Sequence, residues 1–271
     1  MRARQITYAY VLAQTLLEDE VSDYAEAGLH GGGIEIAEGQ EVMPFYLILD
    51  QSWSMDPDLG TLRQAVEQLI AMLRSDPETD DTAMLGVISF GDSARVTIPL
   101  SRLSSIGAVP ELTSLGGTNF SAAWRAFDQA VRADKKTIFS QKGKIHRPCV
   151  FFLTDGEPGD RGEFRNVFLS TQGKDSTKGW PYVVAYGFRE APADVLKDIA
   201  YPDFGEKLGQ WFLLKDNDPK AVIDQVKSLI NQTIVQATST NAQGQRDLQA
   251  AQPTPTANID HGSVDELIED D

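Results

Sequence analysis

Oxygen-bearing side chains recur at three places in the chain, each beside an apolar run or a helical pattern. An Asp-x-Ser-x-Ser sequence supplies Asp50, Ser52 and Ser54 directly after the apolar residues 45–49. A Gly-Gly-Thr sequence ends in Thr118 ahead of a helical pattern, and a Thr-Asp-Gly sequence supplies Asp155 after the apolar residues 150–153. Ligands of open parallel sheets bind in the crevice beyond the carboxyl ends of the strands. We therefore expect these five side chains to meet there.

Carboxylate and hydroxyl oxygens suit a hard divalent cation. Mg²⁺ takes six oxygen ligands at about 2.0–2.1 Å and usually keeps several waters, so a few short side chains are enough. In an extended turn alternate residues point the same way, which would let Asp50, Ser52 and Ser54 converge. Asp50 and Asp155 would balance the charge of the ion, and one coordination position would stay open or water-filled. The sequence predicts a Mg²⁺ site, and Mn²⁺ suits the same ligands.

The three motifs, in this order, resemble the metal-ion-dependent adhesion site of von Willebrand factor A domains, and the resemblance covers about residues 42–235. The residues around the first and third motifs look most like the bacterial branch of that family associated with tellurite resistance and stress response. The resemblance implies direct metal bonds from Ser52, Ser54 and Thr118, and water-mediated contacts from Asp50 and Asp155. It also implies a sixth ligand donated by a carboxylate of a partner.

Apolar runs alternate with amphipathic patterns along the chain, which predicts a doubly wound α/β fold. Most of the strand candidates are continuous apolar runs, as expected for strands covered on both faces. Residues 94–98 follow residues 83–90 after a short Gly-Asp-Ser turn and predict a hairpin. The expected architecture is therefore a mostly parallel central sheet with one antiparallel edge strand and helices on both faces. The strand candidates are residues 45–49, 83–90, 94–98, 148–153, 182–186 and 211–214.

The chain divides into an N-terminal arm at residues 1–41, a von Willebrand factor A-like domain at 42–236 and an acidic disordered tail at 237–271. The tail has one Arg and seven Asp or Glu residues and few large apolar residues, too little apolar surface to offset the entropy of ordering. It would serve either as a solvating tail or, through residues 264–268, as a docking peptide. The first 20 or so residues superficially resemble a signal peptide, but acidic residues precede the cleavage-like site, so we expect a cytoplasmic protein.

Composition narrows the class of partner. A formal net charge of −16 argues against nucleic acid, because phosphate contacts need clustered Lys and Arg residues. No apolar run approaches the roughly 18 residues of a membrane span. The single cysteine, Cys149, precludes an internal disulfide. A protein partner is the expectation that remains.

Three further residues flank the predicted ligands. Trp53 stands where the resembled family often has glycine, and it would either contact a partner or pack locally. Phe120 would lie in the same rim or be buried at the start of the following helix. Glu157 would accept a hydrogen bond from metal-bound water or simply open the segment before Pro158. Aromatic residues around a charged anchor are typical of binding hot spots, so Trp53 and Phe120 are partner-binding candidates, and Glu157 joins them as a neighbour of Asp155.

Two classes of function fit these residues. The first is a non-catalytic interaction module that grips an Asp or Glu of a partner through the cation, in a bacterial stress-response or conflict assembly that could include a kinase, a phosphatase or an ATPase. A partner subunit of an AAA-type ATPase is a variant of this class. The second is a metal-dependent phosphatase-like hydrolase. Haloacid-dehalogenase-like phosphatases also place an Asp after the first strand, but their pattern has a second Asp two residues later, where this chain has Ser52. We therefore expect no enzyme activity.

Overall fold

The computed structural model of the chain describes residues 34–215, 218–240, 246, 248–252 and 259–264. Within these residues the chain forms eight strands: β1 (Glu41–Asp50), β2 (Ala83–Phe90), β3 (Ala94–Arg102), β4 (Lys144–Ile145), β5 (Cys149–Thr154), β6 (Tyr182–Phe188), β7 (Gln210–Leu214) and β8 (Ile259–Ser263). The α-helices are α1 (Leu59–Arg74), α2 (Pro77–Thr82), α3 (Phe120–Ser140), α4 (Phe164–Gln172), α5 (Ala193–Ile199) and α6 (Pro219–Thr238). Short 3₁₀ helices cover Trp53–Asp58 and Leu103–Ser105.

The strands form one mixed sheet in the order β3-β2-β1-β5-β6-β7-β8, and the short β4 pairs with β1. Strands β2, β1, β5, β6 and β7 run parallel, whereas β3 and β8 are antiparallel to their neighbours. The register pairs Leu49 of β1 with Leu153 of β5, one residue before each strand ends in an oxygen-bearing side chain. The carboxyl ends of β1 and β5 are therefore adjacent at the centre of the sheet.

Helices cover both faces of the sheet because the central strands are apolar on both sides. Side chains of β1 alternate between two buried layers, with Phe45, Leu47 and Leu49 in one and Tyr46 and Ile48 in the other. Helices α1 and α6 pack together over the first layer, and α3, α4 and α5 cover the second. The sheet is thereby held rigidly beneath the ends of its strands.

The predicted fold class is confirmed, and all six strand candidates correspond to strands. The hairpin of β2 and β3 supplies the expected antiparallel edge. Strand β8 adds a second antiparallel edge beyond β7. None of the helices in the described part of the chain combines the length and apolar character needed to cross a bilayer.

The division of the chain differs from expectation at both ends. The prediction of a disordered tail is wrong for Ile259–Ser263, which form β8 along the whole of β7. Ala250 and Ala251 are also buried, and Ala251 N–H donates to the hydroxyl of Thr233 at 2.9 Å. At the other end, Ile34 is buried in the core, ahead of the predicted domain start at residue 42. Residues 1–33, 241–245, 247, 253–258 and 265–271 of the predicted arm and tail lie outside the described residues.

Candidate metal centre

Asp50 is the last residue of β1 and lies beneath the surface of the crevice. Its side chain is held on both sides: Oδ1 accepts the Ser52 N–H at 2.8 Å, and Oδ2 accepts the Thr154 hydroxyl at 2.7 Å. Thr154 ends the neighbouring strand β5. Asp50 is only 1% exposed, so the ends of the two central strands fix its carboxylate in one orientation.

The hydroxyls of Ser52 and Ser54 link the first motif to the third. Their Oγ atoms are 3.0 Å apart, and Ser54 donates to Oδ1 of Asp155 at 2.8 Å. We call the side chains of Asp50, Ser52, Ser54 and Asp155 the oxygen cluster. Convergence does not depend on alternation along an extended turn, as the sequence suggested, because Trp53–Asp58 is a 3₁₀ helix that turns Ser54 back towards Asp155. The four predicted ligands meet nevertheless.

The donor chemistry of the oxygen cluster fits a hard divalent cation. A serine hydroxyl has one proton and two lone pairs. Since Ser54 gives its proton to Asp155, Ser52 must donate to Ser54 in the contact between them. This leaves two lone pairs on Ser52 and one on Ser54 for a cation. A group of three or more His, Cys, Asp or Glu side chains that could hold a metal occurs nowhere in the described residues, so any metal site here depends on such hydroxyls.

The loop that carries Thr118 is tied to the first motif through the main chain. Leu115 N–H donates to the carbonyl of Gln51 at 2.7 Å, and Trp53 N–H donates to the carbonyl of Gly116 at 2.8 Å. Thr118 itself is half-buried, and its carbonyl accepts the Gly159 N–H at 2.8 Å. Its hydroxyl makes no hydrogen bond among the described residues. Thr118 is therefore brought to the same crevice with its oxygen uncommitted.

Two glycines let this loop approach its neighbours. Gly116 has a positive φ of 89°, which side chains rarely allow. A Cβ atom at Gly116 would lie 2.1 Å from Oδ2 of Asp92, and one at Gly117 would lie 2.6 Å from Oδ1 of the same residue. The Asp92 carboxylate thus sits against the bare main chain of the Gly-Gly pair. Glycine is required here by conformation and by space.

The segment after β5 fixes the start of α3, immediately beyond Thr118. Asp160 accepts the N–H groups of Phe120 at 3.0 Å and Ser121 at 2.8 Å, and Asn119 caps the helix by accepting the Ala122 N–H at 2.9 Å. These bonds satisfy N–H groups that have no partner within the helix. Asp160 was not predicted as a site residue, because it follows Phe120 by 40 residues and no sequence pattern links it to the start of α3.

Arg189 is the second unpredicted residue of the site. It follows β6, and its Nη1 atom donates to Oδ2 of Asp155 at 2.9 Å and to the carbonyl of Ser54 at 2.7 Å. Its Nη2 atom pairs with Asp58, which precedes α1 and makes no capping hydrogen bond there. The same sheet-edge rule places a residue at the carboxyl end of β6 near the crevice, but it does not predict the type of that residue. The sequence signal for Arg189 was a single charged residue directly after an apolar run.

Burial sets the electrostatics of the two carboxylates. Desolvation raises the pKa of Asp50 to about 6, and the hydrogen bonds from Thr154 and Ser52 oppose that rise. Desolvation also raises the pKa of Asp155, opposed by the hydrogen bond from Ser54. A carboxylate that is costly to hold ionised in a buried position gains most from a nearby cation.

The structure separates the three predicted rim residues. Trp53 is 74% exposed beside the oxygen cluster, as a partner contact requires. Phe120 is wrongly predicted as a partner contact: it is 0% exposed and packs between the rings of Phe152 and Phe164, at centroid distances of 4.9 and 5.2 Å. Glu157 is exposed and forms an ion pair with Arg161, one turn further on. The suggested hydrogen bond from Glu157 to metal-bound water remains a prediction.

Comparison with known proteins gives a family match and a fold. Residues 45–157 match the family model described as von Willebrand factor type A domain. The von Willebrand factor type A structure from Catenulispora acidiphila aligns with a TM-score of 0.50 and 18% identity, over 73% of this chain and 43% of that chain. The pilus adhesin SpaC from Lactobacillus rhamnosus GG aligns with a TM-score of 0.52 and 15% identity, over 74% and 32%. This chain thus spans less than half the length of either structure. No curated protein matches the sequence.

Proposed function

We propose that the protein is a non-catalytic interaction module, on the premise that residues 45–157 match the family model described as von Willebrand factor type A domain. It binds a divalent cation, Mg²⁺ or alternatively Mn²⁺, and uses it to grip an Asp or Glu residue of a partner protein. The observation that carries the proposal is the continuous contact from Ser52 to Ser54 and from Ser54 to Asp155, at 3.0 and 2.8 Å. It joins two motifs that are 101 residues apart in the chain.

Each residue of the site has a distinct role in this proposal. Ser52, Ser54 and Thr118 offer neutral hydroxyl oxygens, whereas Asp50 and Asp155 provide the negative charge. When bound, the cation supplies a Lewis-acidic position that can accept an external carboxylate oxygen. Thr154 and the Ser52 N–H hold the Asp50 carboxylate in place, which limits the reorganisation needed on binding.

The partner surface begins at Trp53. Its side chain is exposed, while its N–H is fixed to Gly116 at 2.8 Å, so the ring projects from a rigid main chain. An exposed aromatic beside a buried charged anchor is the arrangement typical of binding hot spots. Trp53 would therefore supply apolar contact area around the carboxylate that the cation holds.

The same contacts argue for binding and against hydrolysis. General base catalysis needs an acceptor atom within reach of the proton it removes. Both oxygens of Asp50 already accept hydrogen bonds, and those of Asp155 accept donors from Ser54 and Arg189. Each of the four carboxylate oxygens thus already accepts a hydrogen bond, which supports a binding role for Asp50 and Asp155 over a role as general base. We propose that the module acts in the cytoplasm, within a bacterial stress-response assembly like that of the tellurite-resistance branch.

Affinity capture with the full chain tests this function. Immobilised wild-type protein should retain the same partner from the source-cell lysate in Mg²⁺ and release it in excess EDTA, and Asp50→Asn should not retain it. The matched control is Asp134→Asn. Asp134 is also a buried aspartate, but it lies on α3, away from the crevice. Exchange of a single acidic residue of the captured partner for its amide should abolish retention. Retention that persists in EDTA, or turnover of a phosphate ester that is lost in Asp50→Asn, would overturn the proposal.

A further inference from the structure

Arg189 brings a permanent positive charge into the oxygen cluster. One guanidinium nitrogen contacts both Oδ2 of Asp155 and the carbonyl of Ser54, at 2.9 and 2.7 Å. The other terminal nitrogen pairs with Asp58. The Arg189 side chain is 30% exposed, whereas that of Asp155 is 1% exposed. The interaction therefore lies at the boundary between the buried carboxylate and the open crevice.

The main chain holds Arg189 in an unfavourable conformation. Its φ is +55°, in the left-handed region that residues other than glycine, asparagine and aspartate seldom adopt. The following residue, Glu190, donates its N–H to the carbonyl of Asp155 at 3.2 Å, which ties the loop to the third motif. Strained conformations of this kind persist where the surrounding structure fixes them, and they cluster at functional sites. In this conformation the guanidinium of Arg189 lies against Asp155.

We propose that Arg189 is a built-in counter-cation that shares Asp155 with the divalent ion and thereby sets the metal affinity of the domain low. The inference rests on the proposed metal site and adds a residue that determines how tightly the ion is held. An arginine side chain stays protonated throughout the physiological range, so it cannot relieve repulsion by losing its proton. A site of this kind holds its cation weakly until a further negative ligand is supplied.

The charges around the oxygen cluster show what Arg189 changes. Asp50, Asp155 and Asp58 carry three negative charges, and Arg189 reduces the formal total to −2. Without Arg189 the total would be −3, and Oδ2 of Asp155 would lose its donor. Coulomb's law for charges of +1 and +2 about 4–6 Å apart, in water that also contains physiological salt, corresponds to roughly three- to tenfold in affinity. Loss of Arg189 should therefore tighten metal binding.

A purely structural role for Arg189 makes the opposite prediction. Because the guanidinium joins Asp155 to the Ser54 carbonyl, a brace that merely positions the ligands would weaken metal binding when it is removed. The sign of the affinity change separates the two roles. The main chain of Arg189→Gly can keep its native conformation, since glycine accepts a positive φ without strain.

The experiment is titration of full-length protein with Mn²⁺, followed by calorimetry, for wild type, Arg189→Gly and Arg189→Gln. Both variants should bind about three- to tenfold more tightly than wild type. The matched control is Lys142→Gly. Lys142 is the other non-glycine residue with a positive φ in the described chain, at 60°, and it forms an exposed ion pair with Glu38. The substitution therefore removes a positive charge from the same type of main-chain conformation. That control should bind Mn²⁺ like wild type.

Thermal melting provides a second measurement on the same proteins. In EDTA, Arg189→Gly should melt below wild type because Asp58 and Asp155 lose their counter-charge, and saturating Mg²⁺ should raise its melting temperature by more than it raises that of wild type. If both Arg189 variants bind Mn²⁺ no more tightly than wild type, while Asp50→Asn fails to bind it, the proposed role of Arg189 is overturned. The proposed metal site would stand in that case. If neither wild type nor the variants bind the ion, the metal site and the role of Arg189 both fail.

Discussion

Asp134→Asn should change the pH dependence of the protein's stability. Asp134 lies on α3 with its carboxylate buried, and its Oδ2 accepts the Tyr46 hydroxyl at 2.8 Å. Burial raises the pKa of Asp134 to about 7, and the hydrogen bond from Tyr46 opposes that rise. This contact joins α3, which starts beyond Thr118, to β1, which ends in Asp50.

The sign of the effect follows from the raised pKa. The folded state favours the protonated carboxyl, so its contribution to stability is complete below the ordinary value of 3.8 and is lost as the pH rises through about 7. A rise of this size corresponds to on the order of 4 kcal/mol. Asparagine has the same shape and can still accept the Tyr46 hydroxyl, but it has no charge to desolvate. The variant should therefore gain stability relative to wild type between pH 4 and pH 8.

Urea unfolding followed by tryptophan fluorescence at several pH values measures this directly. The difference in free energy of unfolding between Asp134→Asn and wild type should grow with pH and level off above about pH 7. Asp175→Asn serves as the control, since Asp175 is exposed and stays hydrated in the folded state. Parallel pH profiles for wild type and Asp134→Asn would refute the account of this buried pair.

Three other perturbations have clear expected results. Trp53→Ala should weaken partner binding by more than about 1 kcal/mol in a titration with the captured partner while Mn²⁺ affinity stays unchanged, and an equal loss of both would contradict a rim role. Gly116→Ala should lower both the melting temperature and the Mn²⁺ affinity, because its Cβ would meet Asp92 at 2.1 Å in a loop of positive φ; unchanged values would show that the loop can relax. Truncation after Thr240 should lower the free energy of unfolding, since it removes β8 from β7, and an unaltered denaturation curve would contradict a structural role for that strand.

The central sheet was predictable because its strands are buried on both faces. Strand β1 carries apolar side chains on both faces, so it can be recognised in the sequence without knowing which strands pair with it. The meeting of the candidate metal ligands was predictable for a related reason. Asp50 and Asp155 each follow such a run, and parallel strands bring their carboxyl ends together. The fold and most of the oxygen cluster thus follow from local patterns.

Strand β8 was missed because its pairing is made by the main chain. Its sequence, Ile-Asp-His-Gly-Ser, has one large apolar side chain and lies in an acidic region that is typical of disorder. Pairing along β7 satisfies its N–H and carbonyl groups regardless of side-chain type. Composition alone could not reveal that β7 leaves an edge open.

The details of the rim depended on packing that the sequence does not specify. Phe120 and Trp53 both adjoin a ligand motif. Phe120 begins an α-helix whose apolar side faces the sheet, whereas Trp53 begins a short 3₁₀ helix. Arg189 was missed because a single charged residue after a strand has no spacing pattern. Its role appears only when β6 is placed beside β5.

The most direct test of the metal site is the effect of Mg²⁺ on melting temperature at pH 7.5, for wild type, Asp50→Asn and the control Asp134→Asn. At a concentration 100 times the Kd, binding stabilises the folded state by about 2.7 kcal/mol, or roughly 5–10 °C for a domain of this size. Wild type and Asp134→Asn should show equal shifts, and Asp50→Asn should show none while remaining at least as stable as wild type in EDTA. An equal Mg²⁺ shift in Asp50→Asn would contradict the assignment of the oxygen cluster as the metal centre.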